Sequence, residues 1–555
     1  MMPEKKQAAF RQRLTTAKFM GAMAGAALIA YVAMNHLMFR DVIHYFSARG
    51  TAVSLVYLAW MGCGFVVFVA LIALANRWVI VLLTPLFFLS LATNFAYMVL
   101  GKRMLSLDVM EWLPHELAQS RNAWSEFHTE IIVATIEAAA LLGVFLVIRM
   151  AIRRHRSFSG SAFGRRSAQI LASGAFLLFT VAGIFLQPPN TMAETNLYVF
   201  GLPALFATTP DLRSVSVAPA RPPLVEKIVL VVDESVTHDI YQKVIAPALL
   251  HLPKVDFGEA ASTANCSAAS NALLRWGLEK DRLAQADYDP RTNPTIWGYA
   301  KAAGFRTILI DGQSSGAMHN YISTKEVALI DEFVPAYSGL DTDHRIAAML
   351  NDRLAKPGRE LIYVVKHGTH FPYEMNYPAG AAPDDAPRPV KYAAAVSYSS
   401  RGFFERLARD LDLAGILVVY TSDHGQDLAD RSTHCNPNPR AAEYSVPLIV
   451  VTRAKALHEL LEQHNGMHNR ASHLNIFPTL LYSMGYAREW LEATHGPTLA
   501  GPPAPYITYV SLGWTARADR NKRHTVESTA FIRSVDFPRR KAADHVPDSL
   551  NSKRQ

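Results

Sequence analysis

The sequence predicts an α/β domain preceded by an α-helical membrane domain of five spans. Two apolar runs predict buried strands, because residues 228–232 lead directly into two acids and residues 416–422 into an acid and a histidine. An unbroken run that ends in this way is typical of a parallel strand covered on both faces. The first 186 residues carry long apolar stretches of another kind, which are typical of membrane-spanning helices.

The apolar stretches of the first part are similar in length. Each is close to the roughly 20 residues that cross about 30 Å of hydrocarbon. Core helices of a soluble domain are the alternative, but such helices rarely lack a polar face five times in succession. The sequence therefore predicts five membrane spans, at residues 19–39, 52–75, 78–100, 131–148 and 169–186.

The distribution of charge predicts the orientation in the membrane. Five Lys and Arg residues precede the first span, and six Arg residues without an acid lie between the fourth and fifth spans. Because Lys and Arg are retained on the cytoplasmic side, both segments are expected there, with the arginines facing anionic lipid. Five crossings then place the rest of the chain outside, which is the periplasm if the source is a Gram-negative bacterium. The net charge of +8 therefore does not indicate nucleic-acid binding.

The composition divides the chain into five parts. We expect a cytoplasmic N-terminus, the membrane domain, a linker rich in Pro, Ala, Thr and Ser, a catalytic α/β domain and a basic tail. Their bounds are 1–18, 19–186, 187–223, 224–518 and 519–555. Strand patterns alternate with helical patterns in the α/β domain, which predicts a mostly parallel sheet with helices on both faces. The predicted strands are 227–233, 306–311, 361–366, 416–422, 447–452 and 506–511, with a short one at 529–535 in the tail.

The two acid-bearing strands predict a metal site. Ligands in open α/β sheets gather at the carboxyl ends of the strands. Asp423, His424 and one of Asp233 and Glu234 would offer two carboxylates and an imidazole, a set that suits zinc or manganese. Either acid alone could cap a helix or begin a turn, but their occurrence on two strands favours the metal site.

A serine and three histidines are the candidates for chemistry. Ser270 lies near the start of a predicted helix, where free N–H groups and the helix dipole stabilise an alkoxide or a phosphate. It could simply be an N-cap, but a nearby metal would make it a nucleophile at neutral pH. His367, His370 and His434 lie on polar loops after strands, where they could protonate a leaving group or bind phosphoryl oxygens.

Four further residues have two possible roles each. Glu111, in the outward loop, could bind a cationic lipid headgroup or belong to an amphipathic surface helix. Glu137 falls within a predicted span, where an acid is costly; it is functional or else reaches the outer headgroups. Cys266 and Cys435 flank the candidate residues and could form a disulfide, which the sequence alone does not decide.

The order of these motifs resembles the alkaline phosphatase superfamily. The motifs are Glu234 after a strand, a hydroxyl after a loop that contains a cysteine, Gly-Thr-His-Phe-Pro at 368–372, Ser-Asp-His-Gly at 422–425, and a later histidine. With the five spans, the chain is most similar to the membrane-anchored phosphoethanolamine transferases that modify lipid A. The resemblance implies an alkaline-phosphatase-like sandwich fold for the α/β domain.

The resemblance also implies roles for individual residues. It implies that Glu234, Asp423, His424 and Ser270 hold zinc, and that His370 and His434 bind the transferred phosphoryl group or a second zinc. The family nucleophile is usually threonine, and serine stands here; where the transferases often have a further histidine, this chain has Val365, with His367 close by. Glu111 matches a headgroup-binding glutamate, and His473 falls in a segment to which we assign a structural role.

The implied function is transfer of phosphoethanolamine from phosphatidylethanolamine, through a phospho-Ser270 intermediate, to lipid A or another envelope glycan. We expect a monomer in the inner membrane with its catalytic domain in the periplasm. A formylglycine sulfatase is excluded, because Cys266-Ser267-Ala268-Ala269-Ser270 does not fit Cys-x-Pro-x-Arg. A phosphohydrolase or a glycerophosphate transferase with the same site, and a non-catalytic scaffold, remain alternatives.

Overall fold

The structure is a computed structural model in which contacts divide the chain into two compact units. One unit comprises Met1–Pro114 and Ala123–Ala207, and the other comprises His115–Asn122 and Thr208–Gln555. The structure describes residues 4–36, 39, 51–101, 105, 110, 120–154, 162–186, 192–205, 210–280, 282, 288–316, 320–407, 413–429, 433–436, 439–463, 465–503, 506–510 and 523–527.

The first unit contains the five predicted apolar helices. They are α1 (Glu4–Met34), α2 (Thr51–Leu74), α3 (Arg77–Gly101), α4 (Ser120–Arg154) and α5 (Ala162–Leu186). All five are long and apolar enough to cross a membrane. The fourth begins before and ends after its predicted span, because the helix continues into polar residues at both ends. A further helix, α6 (Asn196–Leu205), lies within the segment predicted as a linker, where the sequence NLYVFGLPAL is largely apolar.

Two arginines near the end of α4 cap a neighbouring helix. The Arg149 guanidinium donates to the carbonyl oxygens of Ile72 and Ala75 at 2.5 and 2.9 Å, and Arg153 donates to Ala75 at 2.6 Å. These carbonyls at the end of α2 have no partner within their own helix, so the cations satisfy them. The expectation that these arginines face lipid headgroups is therefore wrong for Arg149, which is buried.

The second unit is built on a seven-stranded, mostly parallel sheet. In space the strands follow the order β2-β7-β6-β1-β5-β3-β4, and β7 runs antiparallel to both of its neighbours. The strands are β1 (Lys227–Asp233), β2 (Lys254–Ala261), β3 (Arg306–Asp311), β4 (Glu332–Pro335), β5 (Glu360–Val365), β6 (Ile416–Ser422) and β7 (Ser445–Thr452). A separate pair, β8 (Tyr506–Val510) and β9 (Arg523–Glu527), is antiparallel.

Helices cover both faces of the large sheet. The longer ones are α7 (Ser267–Arg275), α8 (Ile296–Ala302), α9 (Thr342–Leu354), α10 (Arg388–Val396), α11 (Lys455–Gln463), α12 (Ile476–Ser483) and α13 (Arg488–Thr494). Side chains of β1 alternate between two cores. Leu230 packs in the core that contains α8 and α12, and Val231 packs in the core that contains α9 and α10. This arrangement confirms the predicted α/β sandwich.

Two strands of the sheet were not predicted from the sequence. β2 contains a bulge between Asp256 and Glu259, with Gly258 at a φ of 71°, so its apolar alternation is interrupted. β4 has four residues, ends in a proline and lies at the sheet edge. The strand predicted at 529–535 lies outside the described residues, whereas residues 523–527 do form a strand.

Candidate active site

Adjacent parallel strands bring the predicted metal ligands together. β1 pairs with β6 so that Asp233 lies opposite Ser422, and the residues that follow both strands emerge at the same edge. The Nε2 atom of His424 lies 3.5 Å from Oδ2 of Asp423 and 3.7 Å from Oε1 of Glu234. All three side chains are buried, and their possible ligand atoms lie within 4.8 Å of one another.

The sequence left open which of the two acids after β1 faces this cluster, and the structure brings Glu234 to it. Asp233 instead accepts hydrogen bonds from Lys366 Nζ at 2.7 Å and from the Tyr420 hydroxyl at 2.9 Å. All of these side chains are buried. Asp233 therefore belongs to the support of the site.

The donor set of the cluster fits a divalent cation. Oδ2 of Asp423 is buried and has no hydrogen-bond partner among the described residues, although buried polar atoms are rarely left unpaired. Two carboxylates and one imidazole are ligands that zinc accepts, and a cation would satisfy this oxygen. We therefore regard Glu234, Asp423 and His424 as residues that can hold the metal.

The electrostatics of the two carboxylates also differ. Burial raises the pKa of Asp423 well above its usual range, and the charge of nearby Glu234 raises it further. Burial alone would also raise the pKa of Glu234, but the neighbouring histidines His424, His370 and His434 outweigh it and lower the pKa to about 2. Two acids with opposite shifts in one buried cluster are typical of functional sites.

Ser267, and not Ser270, presents its hydroxyl to the cluster. The Oγ atom of Ser267 lies 3.2 Å from Oε2 of Glu234 and 3.1 Å from Nε2 of His424. It is the first residue of α7 and is partly exposed, so a substrate can reach it. The sequence signal was available, because Ser267 also lies at the helix N-terminus and follows Cys266 directly.

The expected role of Ser270 does not agree with its surroundings. Its Oγ atom donates to the main-chain oxygen of Asp423 at 2.5 Å and lies 3.3 Å from Nδ1 of His473. The side chain is fully buried one turn inside α7, so a phosphorus atom cannot approach it. His473 is also buried and contacts Thr421 Oγ1 at 3.1 Å, which agrees with the structural role expected for it.

Two of the three candidate histidines lie beside the cluster. The ring of His434 stacks on that of His424 with 4.3 Å between centroids, and the ring of His370 lies 6.3 Å from His434. The ring of His367 contacts Tyr337 instead, with 5.2 Å between centroids. Burial and the neighbouring histidine His424 lower the pKa of His434 well below its usual range, so the imidazole is neutral at pH 7.

Of the two predicted membrane residues, the structure describes one. Glu111 lies outside the described residues. Glu137 lies on α4 in the first unit with its side chain exposed. Their headgroup-binding roles therefore stay predictions.

Gln313 is a site residue that the sequence reasoning missed. Its Nε2 donates to Oε2 of Glu234 at 2.8 Å and to the main-chain oxygen of Lys366 at 3.1 Å. It follows β3, and its position after a buried strand that ends in an acid was the available signal.

A disulfide joins the loops on either side of the site. Cys266, the N-cap of α7, is bonded to Cys435, which follows His434 directly. Cys266 is therefore not free for oxidation to formylglycine, in agreement with the exclusion made from the sequence. The bond also keeps His434 close to the start of α7.

Comparisons with known proteins give a family match and fold matches. A protein-family model described as Sulfatase matches residues 252–486. The integral membrane protein lipooligosaccharide phosphoethanolamine transferase A from Neisseria meningitidis aligns with a TM-score of 0.57 at 15% identity, over 87% of this chain and 98% of that one. The C-terminal periplasmic domain of EcEptC from Escherichia coli aligns at 16% identity and a TM-score of 0.46, over 61% of this chain and 100% of that one. None of the curated proteins matches the chain.

The match to the meningococcal protein covers 87% of this chain and so extends beyond the unit that contains the sheet. It confirms the predicted architecture, and the family match confirms the resemblance drawn from the motifs. The chain therefore has the fold of the meningococcal phosphoethanolamine transferase, and residues 252–486 within it are similar to the Sulfatase family.

Proposed function

We propose that the chain is a metal-dependent transferase that moves phosphoethanolamine from phosphatidylethanolamine to lipid A or another envelope glycolipid. One observation carries the proposal: a reachable serine hydroxyl, Ser267, contacts two members of a buried Glu-Asp-His cluster that fits a divalent cation. Its place at the start of α7 adds the partial positive charge of a helix N-terminus.

Ser267 replaces Ser270 as the proposed nucleophile. Its Oγ attacks the phosphorus of the donor phosphodiester, and an Oγ–P bond forms as the bond from phosphorus to the glycerol oxygen breaks. The serine proton ends on that oxygen, so diacylglycerol leaves as an alcohol. The hydroxyl of an acceptor, or its phosphate group in the protonated form, then attacks the phosphorus of this phosphoethanolamine–Ser267 ester. A bond from the acceptor oxygen to phosphorus forms as the Oγ–P bond breaks, and the acceptor's proton passes to the Ser267 Oγ.

The surrounding residues would support both steps. A zinc ion held by Glu234, Asp423 and His424 would lower the pKa of the Ser267 hydroxyl and offset negative charge on the phosphoryl oxygens; manganese has similar ligand preferences. His434 and His370 lie beside the cluster and can donate hydrogen bonds to the same oxygens. Such donors stabilise phosphoryl transfer because charge spreads over the equatorial oxygens.

We place the protein in the bacterial inner membrane with its catalytic unit in the periplasm. The five apolar helices and the excess of Lys and Arg before the first helix and after the fourth support this orientation. The donor is then a phospholipid of the same membrane, and no nucleic acid takes part.

Two assays test the proposed reaction. Purified protein with zinc and phosphatidylethanolamine should release diacylglycerol in proportion to the acceptor modified, and envelope glycolipids should lose a phosphoethanolamine mass when the gene is deleted. Diacylglycerol release without any acceptor product would contradict the transferase and indicate a phosphohydrolase. A glycerophosphate mass on the glycolipid would indicate the other headgroup.

A further inference from the structure

The carboxylate of Glu443 connects the loops that surround the site. The side chain is fully buried, and Oε2 accepts hydrogen bonds from Asn265 Nδ2 at 2.9 Å and from the Asn436 main-chain N at 3.2 Å. Oε1 accepts from Asn436 Nδ2 at 3.0 Å and from the Arg440 main-chain N at 3.1 Å. Four N–H groups therefore converge on one carboxylate, and none of these four hydrogen bonds involves the metal ligands or Ser267.

These partners lie directly beside the residues proposed for chemistry. Asn265 precedes Cys266 and Ser267, and Asn436 follows His434 and Cys435. The main-chain oxygen of Glu443 in addition accepts from the N–H of Gly425, the residue after His424, at 2.9 Å. One residue thus contacts the loop before the nucleophile, the His434 loop and the loop that carries two metal ligands.

The first two loops are also bonded to each other. The Cys435 N–H donates to the Asn265 oxygen at 2.8 Å, and Asn265 Nδ2 donates to the Asn436 oxygen at 3.0 Å. The disulfide between Cys266 and Cys435 spans the same pair of loops. Glu443 therefore acts together with a covalent restraint on the distance between Ser267 and His434.

The hydrogen-bond pattern requires a carboxylate at this position. All four partners of Glu443 are donors, and the two asparagine amides must point their NH₂ groups toward it. A glutamine would place its own NH₂ group against two N–H donors, and buried unpaired donors are costly. The substitution Glu443→Gln therefore changes the shape of the side chain little but disturbs the positions of both loops.

We propose that Glu443 is a positioning residue for phosphoryl transfer, which sets His434 relative to Ser267. This inference rests on the proposed function, in which His434 binds the phosphoryl group that Ser267 carries. A displacement of about 1 Å between two such groups can lower a rate by about 10²-fold. Metal binding should be retained, because Glu234, Asp423 and His424 follow β1 and β6, and the hydrogen bonds of the Glu443 carboxylate go to other residues.

The test compares Glu443→Gln with Glu326→Gln. Glu326 is equally buried and holds Arg275 at 3.1 Å, so it controls for the loss of a buried acid. Both variants should unfold at lower temperature than the wild type. Below both transitions, Glu443→Gln should lower kcat by about 10²-fold with KM for the phospholipid and zinc content within twofold, whereas Glu326→Gln should keep kcat within twofold. Equal kcat values for the two variants would overturn the proposal.

A second readout does not depend on the reaction. The Cys266–Cys435 disulfide should be reduced several times faster by a water-soluble phosphine in Glu443→Gln than in Glu326→Gln, as followed by thiol alkylation and mass spectrometry. Equal reduction rates would contradict the inference even if the wild type proves inactive with phosphatidylethanolamine, an outcome that counts against the proposed function alone. Should Glu443→Gln not fold, Asn265→Ala removes the bonds from Asn265 Nδ2 to Glu443 Oε2 and to the Asn436 oxygen and leaves Glu443 itself in place. The same fall in kcat at nearly unchanged KM is expected.

Discussion

The Ser267 hydroxyl lies 3.2 Å from Oε2 of Glu234, although 33 residues of chain separate the two. Glu234 follows β1 and Ser267 begins α7, so their meeting depends on the fold and not on a local motif. Ser270 lies one turn further along the same helix and is covered by the main chain of Asp423. The choice of Ser267 as nucleophile depends on this difference between the two serines.

Replacement of Gly368 should disturb Glu234 directly. Gly368 has a φ of +62°, and an added Cβ would contact the Glu234 Cβ and lie 2.8 Å from its main-chain N. Gly368→Ala should therefore lower both zinc content and turnover. It should also lower the free energy of unfolding by roughly 1 kcal/mol, because a side chain at a positive φ is strained. Gly358→Ala is the matched control, since Gly358 has a φ of +113° and nothing within 4 Å. Equal zinc content and activity in the two variants would contradict this prediction.

The buried ion pair of Lys366 and Asp233 should matter for stability. Both side chains are fully buried, and Lys366→Met leaves the Asp233 carboxylate without its cation. Removal of one partner from such a pair costs about 3–5 kcal/mol. Lys455→Met breaks an exposed pair with Glu459 and should change stability by less than about 1 kcal/mol. Thermal unfolding of the detergent-solubilised protein measures both, and similar transitions for the two variants would refute the prediction.

Loss of the unpaired oxygen of Asp423 should remove the metal. Asp423→Asn replaces one carboxylate of the cluster by an amide, which is a poor zinc ligand. Zinc measured by elemental analysis should fall from stoichiometric to a small fraction, and chelation of the wild type should abolish turnover until zinc is restored. Asp331→Asn, at a partly exposed carboxylate paired with Lys301, is the control and should retain zinc. Full zinc occupancy in Asp423→Asn would argue against this ligand set.

Acidification should destabilise the catalytic unit through His473. Burial lowers the pKa of His473 from 6.5 to about 3. The unfolded chain takes up this proton near pH 6.5 and the folded chain only near pH 3. The contribution of the neutral imidazole to the free energy of unfolding is therefore fully present above pH 6.5 and is lost as the pH falls from 6.5 towards 3. One such group changes the free energy of unfolding by at most about 1.4 kcal/mol per pH unit.

His473→Gln should reduce this slope. Between pH 6 and pH 4, the free energy of unfolding should fall less steeply with decreasing pH than in the wild type. The difference in slope should correspond to up to one proton fewer taken up on unfolding. His251→Gln, at an exposed position, controls for replacement of a histidine as such. An unchanged slope in His473→Gln would show that the buried imidazole is not the source.

Much of the fold could be predicted because its strands are simple in sequence. β1 and β6 are unbroken apolar runs that end in ligands, and their parallel pairing brings Glu234 to Asp423. β2 and β4 could not be predicted, because a bulge interrupts one and the other has four residues at an edge. The sequence pattern therefore predicted the central strands and missed irregular or peripheral ones.

The site was less predictable than the sheet. Ser267 and Ser270 are three residues apart on one helix and share a face, so spacing alone does not tell which hydroxyl is reachable. The difference comes from what covers each side chain. Glu443 and Lys366 gave no signal of their role, because their partners lie on loops and strands distant in the chain.

Intact-protein mass spectrometry of the wild type, Ser267→Ala and Ser270→Ala shows which serine carries the transferred group. Each protein would be incubated with zinc and phosphatidylethanolamine without an acceptor. We expect a phosphoethanolamine adduct on the wild type and on folded Ser270→Ala, mapped to the peptide that contains residue 267, and none on Ser267→Ala. An adduct that persists in Ser267→Ala and disappears in Ser270→Ala would contradict Ser267 as the nucleophile.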